Sequence, residues 1–132
     1  MASILVVDDE PDVAEAIQSV LERAGFTVVT ATSAQGGLEA VEKHEFDVVV
    51  TDIIMPKVNG LELIRRLRSS YPRIRVIAIS GGGSFGPLSL KPDAISTHAF
   101  IAAAREAGAE EVLTKPFDRD DLLSAVRRHL PN

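Results

Sequence analysis

The sequence predicts a single α/β domain in which a five-stranded parallel sheet carries helices on both faces. The first observation is the length of 132 residues, which suits one domain and is long enough to bury a core. The second is a series of short, continuous apolar runs, which is the pattern of strands buried on both faces. The third is that helix-spaced apolar residues separate these runs, which favours alternating strands and helices.

Five apolar runs predict the strands. In chain order they are residues 4–7, 26–30, 48–50, 74–79 and the weaker pair 112–113. Right-handed crossovers between parallel strands leave few topologies, and the flavodoxin-like, doubly wound order 2-1-3-4-5 is the one expected for a single domain of this size.

Apolar residues with helical spacing predict the helices between and after these strands. The stripes are Val13, Ile17, Val20, Leu21 and Ala24; Ala34, Leu38 and Val41; Leu61, Ile64 and Leu67; and Leu122, Leu123, Val126 and Leu130. A fourth helix is placed around Phe100. Pro11 suits a first helical turn, Gly25 and Gly108 suit C-terminal caps, and Asp118 suits the N-cap of the last helix.

The composition excludes several classes of protein. A net charge of -5 and an aromatic content of 5% argue against direct DNA binding and against base stacking. The absence of cysteine excludes disulfides and thiolate chemistry. No apolar run approaches the roughly 20 residues that span a bilayer, and the first residues do not read as a signal peptide, so we expect a cytoplasmic protein without membrane contact.

Polar side chains follow four of the five predicted strands. Asp8 and Asp9 come after the first strand, Asp52 after the third, Ser80 after the fourth and Lys115 after the fifth. Because the carboxyl ends of parallel strands share one edge of the sheet, we expect these side chains to converge where such sheets bind ligands.

Three converging carboxylates require a positive partner. Two of them about 5 Å apart repel by roughly 3 kcal/mol at an effective dielectric near 20. Lys115 supplies one charge, and a divalent cation that prefers oxygen ligands would supply two, which predicts Mg²⁺. Asp8 and Asp9 taken alone are also compatible with helix N-terminal acids, but that explanation leaves Asp52 unexplained.

These segments resemble the receiver domain of two-component response regulators, over essentially the whole chain. The matching pieces are Ile4-Leu5-Val6-Val7-Asp8-Asp9-Glu10-Pro11, Asp52-Ile53-Ile54-Met55-Pro56 with Gly60, Ser80, and Leu113-Thr114-Lys115-Pro116-Phe117. An acidic pair after a strand is common, whereas four pieces in this order, each at the end of a strand, are specific.

The resemblance implies that Asp52 accepts a phosphoryl group from a sensor histidine kinase or a histidine phosphotransfer protein. It implies that Mg²⁺ is held by Asp8, Asp9, Asp52 and the main-chain carbonyl of Ile54. The expected protein is a single-domain response regulator that spans residues 1–132. It would signal by protein contact through its fourth helix, fifth strand and fifth helix.

The resemblance also implies that Ser80 and Lys115 contact the phosphoryl oxygens and that the peptide bond from Lys115 to Pro116 is cis. Receivers often carry an aromatic residue three positions before the lysine, where this chain has Val112. The stretch between Ser80 and Lys115 is also longer than is usual in the family. Its glycine-rich part, residues 81–92, predicts an extended loop at about 81–94 that orders when Ser80 moves toward the phosphoryl group.

Two positions predict a long-lived acyl phosphate. Ile54, two residues after Asp52, and Gly82, two residues after Ser80, offer no acid or amide side chain to orient a hydrolytic water. The protein is therefore expected to assist its own phosphorylation and dephosphorylation without being a turnover enzyme.

Three alternatives remain open at this point. One is a degenerate receiver that binds partners without phosphorylation, which the valine at position 112 keeps open. Another is an aspartyl-phosphate phosphohydrolase, which would need a second acid where Ile54 stands. The last is a flavodoxin-like cofactor module, which would need an anion cradle after the first strand, where the acidic residues 8–10 repel phosphate.

Overall fold

The structure, a computed structural model, describes residues 2–53, 60–80 and 94–131. Its elements are β1 (Ser3–Val7), α1 (Pro11–Arg23), β2 (Thr27–Ala31), α2 (Ala34–Lys43), β3 (Val48–Asp52), α3 (Gly60–Ser70), β4 (Arg75–Ser80), α4 (Ala94–Ala107), β5 (Glu111–Thr114) and α5 (Arg119–Arg128). The strands are parallel and lie in the order β2-β1-β3-β4-β5. The predicted doubly wound, flavodoxin-like sheet is therefore confirmed. The glycine-rich segment 81–92 lies outside the described residues.

Two apolar clusters cover the two faces of the sheet. One contains residues of α2, α3 and α4, and the other contains residues of α1 and α5. Alternate side chains of β3 enter different clusters, since Val49 packs with the first and Val48 and Val50 with the second. This two-sided burial explains why the central strands read as continuous apolar runs.

The prediction of burial on both faces was wrong for the second strand. β2 is an edge strand, paired with β1 alone, and it begins at Thr27. Val28 is buried, whereas Thr27 and Thr30 are exposed. An edge position leaves one side of the strand open to solvent, so β2 tolerates threonine where β3 carries valine.

Side chains fix both ends of α5. Asp118 caps its N-terminus as predicted, and Asp118 and Asp121 each accept a hydrogen bond from the other's backbone N–H, at 2.8 and 3.1 Å. At the C-terminus, Arg128 donates to Glu111 of β5, and His129 Nε2 lies 2.8 Å from Glu111 Oε1. The hydrogen bond from Arg128 holds the pKa of Glu111 below its usual range.

The turn between α4 and β5 is supported by Arg68 of α3. Nη1 of Arg68 lies 3.1 Å from Oε2 of Glu110, and Nη2 donates to the carbonyl of Ile74. Oε1 of Glu110 accepts the N–H of Val76 at 2.7 Å. Gly108, at φ 124°, lies against the aliphatic stem of Arg68, where a β-carbon would overlap Cγ.

Replacing Gly108 with alanine is expected to destabilise the protein more than replacing Gly25 with alanine. Both glycines have positive φ, which costs an alanine about 1–2 kcal/mol. Gly25 faces open space, whereas a β-carbon at Gly108 displaces the stem of Arg68, which adds about 1–3 kcal/mol. Urea denaturation of the two variants measures the difference. Equal losses of stability would show that Arg68 moves aside without cost.

In the described part of the chain, no helix combines the length and the apolar character needed to cross a bilayer.

Candidate functional site

The carboxyl edge of the sheet gathers the polar residues that the sequence places after its strands. Asp8 follows β1, Asp52 ends β3, Ser80 ends β4 and Lys115 follows β5. The chain leaves the neighbouring strands β1 and β3 toward opposite edges of the sheet. It goes from β1 to β2 on one side and from β3 to β4 and β5 on the other. Such a topological switch point is where open α/β sheets bind ligands.

Three carboxylates lie together at this point. Asp8, Asp9 and Asp52 each offer one carboxylate oxygen, and these oxygens all lie within 4.8 Å of one another. Asp8 is 1% exposed and Asp52 is 7% exposed, whereas Asp9 is half-buried. The cluster therefore places two negative charges in the protein interior and a third at its rim.

Asp8 has a buried carboxylate oxygen that a cation could bind. Its Oδ1 accepts the backbone N–H of Glu10 at 2.9 Å, but its buried Oδ2 has no hydrogen-bond partner among the described residues. Burial raises the pKa of Asp8, and the charges of Asp9 and Glu10 raise it further, against the Glu10 N–H and the charge of Lys115. An unpartnered, buried carboxylate oxygen is costly unless something positive binds it.

This donor set fits a hard divalent cation. All three side chains offer oxygen, which Mg²⁺ prefers, and one of their buried oxygens has no partner among the described residues. Asp8, Asp9 and Asp52 are the side chains that would hold such an ion. The fourth ligand predicted from the sequence, the main-chain carbonyl of Ile54, lies outside the described residues.

Lys115 and Ser80 complete the candidate site. Nζ of Lys115 lies 3.8 Å from Oδ2 of Asp52, and the lysine side chain is 25% exposed. The backbone N–H of Lys115 donates to the carbonyl of Ser80 at 3.0 Å, which joins the ends of β4 and β5. The peptide bond from Lys115 to Pro116 is cis, as predicted. Ser80 is fully buried, and its hydroxyl has no partner within the described ranges.

Two residues support the backbone around Asp52: Thr51, which the sequence did not single out, and Gly60, which stood in the matched motif without an assigned role. Thr51 is fully buried, and its hydroxyl donates to the carbonyl oxygen of Asp52 at 3.0 Å. Gly60 donates its N–H to the carbonyl of Ile53 at 2.9 Å and lies against Asp52. The available signal was a single hydroxyl residue, Thr51, inside a strand of valines.

Val112 lies three residues before Lys115, at the position where the family that the sequence resembles often has an aromatic residue. It lies in β5, opposite Ala78 of β4, and is half-buried against the cluster that contains α2, α3 and α4. Ser80 itself lies opposite Thr114, so the aliphatic side chain of Val112 stands two positions before the register partner of Ser80.

The arrangement suits phosphoryl transfer to a carboxylate. Asp52 offers a nucleophilic oxygen close to a lysine ammonium and to two further carboxylates that can hold a cation. Phosphoryl transfer needs little chemistry from the protein beyond positioning. Its main requirement is positive charge around the nucleophile and the transferring phosphoryl group.

Comparison with known proteins points to one family. The family model of the response regulator receiver domain matches residues 4–88. The response regulator receiver protein CpdR of Brucella abortus is 31% identical over 130 residues, which cover 98% of each chain. The DNA-binding transcriptional regulator NtrC of Azospirillum brasilense is 35% identical over 98% of this chain but only 24% of its own length. The chain spans about a quarter to a half of the other transcriptional regulators that it matches.

Solved structures give the same result. A response regulator receiver domain protein from Clostridium thermocellum superposes with a TM-score of 0.82 at 33% identity, over 98% of this chain and 94% of that one. The chemotaxis response regulator CheY4 of Vibrio cholerae superposes with a TM-score of 0.81 at 27% identity, over 98% and 99%. With this fold, this edge of the sheet and these relatives, the chain belongs to the receiver-domain family of response regulators.

Proposed function

We propose that the protein is a response regulator in which Asp52 accepts a phosphoryl group from the phosphohistidine of a histidine kinase or a histidine phosphotransfer protein. The observation that carries this proposal is the placement of the Asp52 carboxylate. It lies at the topological switch point, with an oxygen within 4.8 Å of oxygens of two further carboxylates and 3.8 Å from the ammonium of Lys115.

The transfer follows from this placement. An oxygen of Asp52 attacks the phosphorus, the P–N bond to the imidazole breaks, and its electron pair stays on the ring nitrogen. Mg²⁺, bound by Asp8 and Asp9 together with Asp52, would neutralise the charge of the cluster and of the phosphoryl oxygens. Lys115 stabilises the same oxygens from the side of β5.

The output is proposed to follow from the added charge. The phosphorylated side chain of Asp52 carries about -1.5 to -2 charge units at pH 7, on phosphoryl oxygens that reach further from the backbone, in place of the single charge of the carboxylate. The hydroxyl of Ser80, which has no partner among the described residues, and the ammonium of Lys115 are the groups that this charge attracts. Ser80 ends β4 and Lys115 follows β5. We therefore assign the signalling surface to α4, β5 and α5, and its partner is a protein of the cytoplasm.

The proposal is tested by intact-mass measurement after incubation with Mg²⁺ and acetyl phosphate, a small-molecule phosphoryl donor. We expect the wild type to gain one phosphoryl group and Asp52→Asn to gain none. Asp12→Asn, which removes an exposed acid of α1, is the control and should behave as the wild type does. Retention of the mass gain in Asp52→Asn would contradict the proposal.

The same experiment, together with an assay of phosphate release, separates the alternatives. A wild type that gains no phosphoryl group from acetyl phosphate or from a phosphorylated histidine kinase would favour a degenerate receiver that acts by binding alone. Continuous release of phosphate from a small phosphate ester would instead favour a phosphohydrolase.

Substituting Ile54 with asparagine is expected to shorten the lifetime of the acyl phosphate by about ten-fold or more. An amide two residues after Asp52 can orient the attacking water, which the isoleucine side chain cannot do. The decay of the phosphorylated mass after removal of acetyl phosphate measures the lifetime. Glu39→Asn, on the exposed face of α2, is the control. An Ile54→Asn variant that decays at the wild-type rate would show that this position does not limit hydrolysis.

A further inference from the structure

We propose that Thr51 is a positioning residue for phosphoryl transfer, because its buried hydroxyl fixes the peptide that carries the acceptor Asp52. The inference rests on the proposed function of Asp52 as the acceptor. Thr51 does not touch the phosphoryl group in this account, and it acts through the backbone of its neighbour.

The first observation is a hydrogen bond in an apolar setting. Oγ1 of Thr51 donates to the main-chain carbonyl of Asp52 at 3.0 Å, and Thr51 has no exposed surface. Its partners in the neighbouring strands are Val7 of β1 and Ala78 of β4. Thr51 is therefore buried in a central strand away from water, and the carbonyl of Asp52 accepts the hydrogen bond of its hydroxyl.

The second observation is that packing alone does not call for a threonine here. The three preceding residues of β3, Val48, Val49 and Val50, are all fully buried valines. Valine and threonine have the same branched shape, but only threonine carries a hydroxyl that requires a partner. A hydroxyl at this one position, directly before the acceptor, points to a role in the placement of Asp52.

The third observation is that the same peptide is fixed by two other contacts. The N–H of Ile53 donates to the carbonyl of Ile79 in β4 at 3.0 Å. Gly60 approaches so closely that a β-carbon there would overlap the carbonyl oxygen of Asp52 and lie 2.7 Å from Cα of Ile53. The peptide between Asp52 and Ile53 is therefore held at its oxygen and at its nitrogen, and Thr51 supplies the hydrogen bond to the oxygen.

The placement matters because the site works by geometry. The carboxylate of Asp52 must meet the oxygens of Asp8 and Asp9 around one cation and face an incoming phosphorus at the same time. Small errors in such positioning lower reaction rates steeply, even when their cause lies outside the reacting groups.

The test compares Thr51→Val, which keeps the shape and removes the hydroxyl, with Thr51→Ser, which keeps the hydroxyl and removes the methyl group. Three quantities are measured: the dissociation constant of Mg²⁺ by calorimetry, the initial rate of phosphoryl gain from acetyl phosphate by intact mass, and the free energy of unfolding in urea. We expect Thr51→Val to weaken Mg²⁺ binding and to slow phosphoryl gain by about three- to ten-fold, the effect of one neutral hydrogen bond. Its free energy of unfolding should stay close to that of the wild type, because burying a methyl group in place of a hydroxyl offsets the lost hydrogen bond.

Thr51→Ser should show the reverse pattern. We expect its rate and its Mg²⁺ affinity to stay within about two-fold of the wild type, although the lost methyl group lowers its stability. A merely structural role would make the rates follow stability, so that serine would be the worse substitution. The inference is overturned if Thr51→Val reacts and binds Mg²⁺ as the wild type does, or if Thr51→Ser is as slow as Thr51→Val.

Failure of the proposed function is seen separately, in the wild type and in Asp52→Asn. If the wild type gains no phosphoryl group, the proposed function fails, and the Mg²⁺ dissociation constants of the two Thr51 variants still decide whether Thr51 positions the carboxylate of Asp52. If the wild type also binds no Mg²⁺, both the proposed function and the role of Thr51 are refuted.

Discussion

Replacing Asp8 with asparagine is expected to stabilise the metal-free protein and, in the same variant, to weaken Mg²⁺ binding by about 100-fold or more. The buried Oδ2 of Asp8 has no partner among the described residues, and leaving such a group unsatisfied costs about 1–3 kcal/mol. An asparagine amide in this place faces carboxylate oxygens of Asp9 and Asp52, to which it can donate. Loss of a residue that hydrogen-bonds to a metal ligand weakens metal binding by about 10–100-fold, and removal of a direct ligand should weaken it at least as much.

The stability difference between the wild type and Asp8→Asn is expected to depend on pH. Burial raises the pKa of Asp8 in the folded protein above its ordinary value of 3.8. The cost of the buried charge is therefore fully present above the folded pKa, shrinks as pH falls through it, and disappears below the ordinary value. Urea denaturation at several pH values in metal-free buffer measures this difference. A variant that is less stable than the wild type at neutral pH would contradict the account.

Asp12→Asn is the matched control for Asp8→Asn. Asp12 lies in the exposed first turn of α1, where the helix dipole favours an acidic side chain. The substitution removes the same charge four residues away, but it should leave Mg²⁺ binding unchanged and lower stability by less than about 1 kcal/mol. Opposite changes in the free energy of unfolding for the two substitutions would separate the effect of the buried cluster from the effect of net charge.

Replacing Glu110 with alanine is expected to lower the free energy of unfolding by about 2–3 kcal/mol. Its carboxylate is 19% exposed and lies between Arg68 at 3.1 Å and Arg75 at 3.6 Å, and it also accepts the N–H of Val76. Hydrogen bonds to charged groups contribute about 1.5–3 kcal/mol, and the substitution leaves Arg68 and Val76 without this partner. The contacts tie the start of β5 to α3 and β4, at the end of the sheet away from the acidic cluster.

Glu110→Gln and Glu22→Ala test whether charge and position explain this loss. Glutamine can still accept the N–H of Val76 but no longer pairs with two arginines. Glu110→Gln should therefore lower the free energy of unfolding less than Glu110→Ala does. Glu22 lies on the exposed face of α1, and its substitution should change stability by less than about 0.5 kcal/mol. Urea denaturation measures all three variants, and equal effects of Glu110→Ala and Glu22→Ala would show that the contacts of Glu110 contribute nothing.

Much of the fold could be predicted because strands buried on both faces leave an unmistakable pattern. The three valines of β3 belong to alternate clusters on the two faces, so each of these positions is apolar. The second strand was predicted less well because an edge strand mixes exposed and buried positions, as Thr27 and Val28 do. The pattern in the sequence does not say which strand lies at an edge until the order of the strands is known.

The residues of the candidate site could be predicted because parallel strands bring their ends to one edge. Asp8, Asp52 and Lys115 needed only their places after strands to be grouped together. The support around them could not be predicted, because the hydroxyl of Thr51 and the close approach of Gly60 act on a main-chain carbonyl, which has no signature in a single sequence.

We propose that the carboxylates of Asp8, Asp9 and Asp52 hold a divalent cation beside the acceptor oxygen. A crystal structure of the protein grown with Mg²⁺ is the decisive test. We expect one ion at the end of β1 and β3, about 2.1 Å from oxygens of these side chains or from water molecules that they bind. Well-ordered carboxylates that point away from one another, with no ion between them at saturating Mg²⁺, would contradict it.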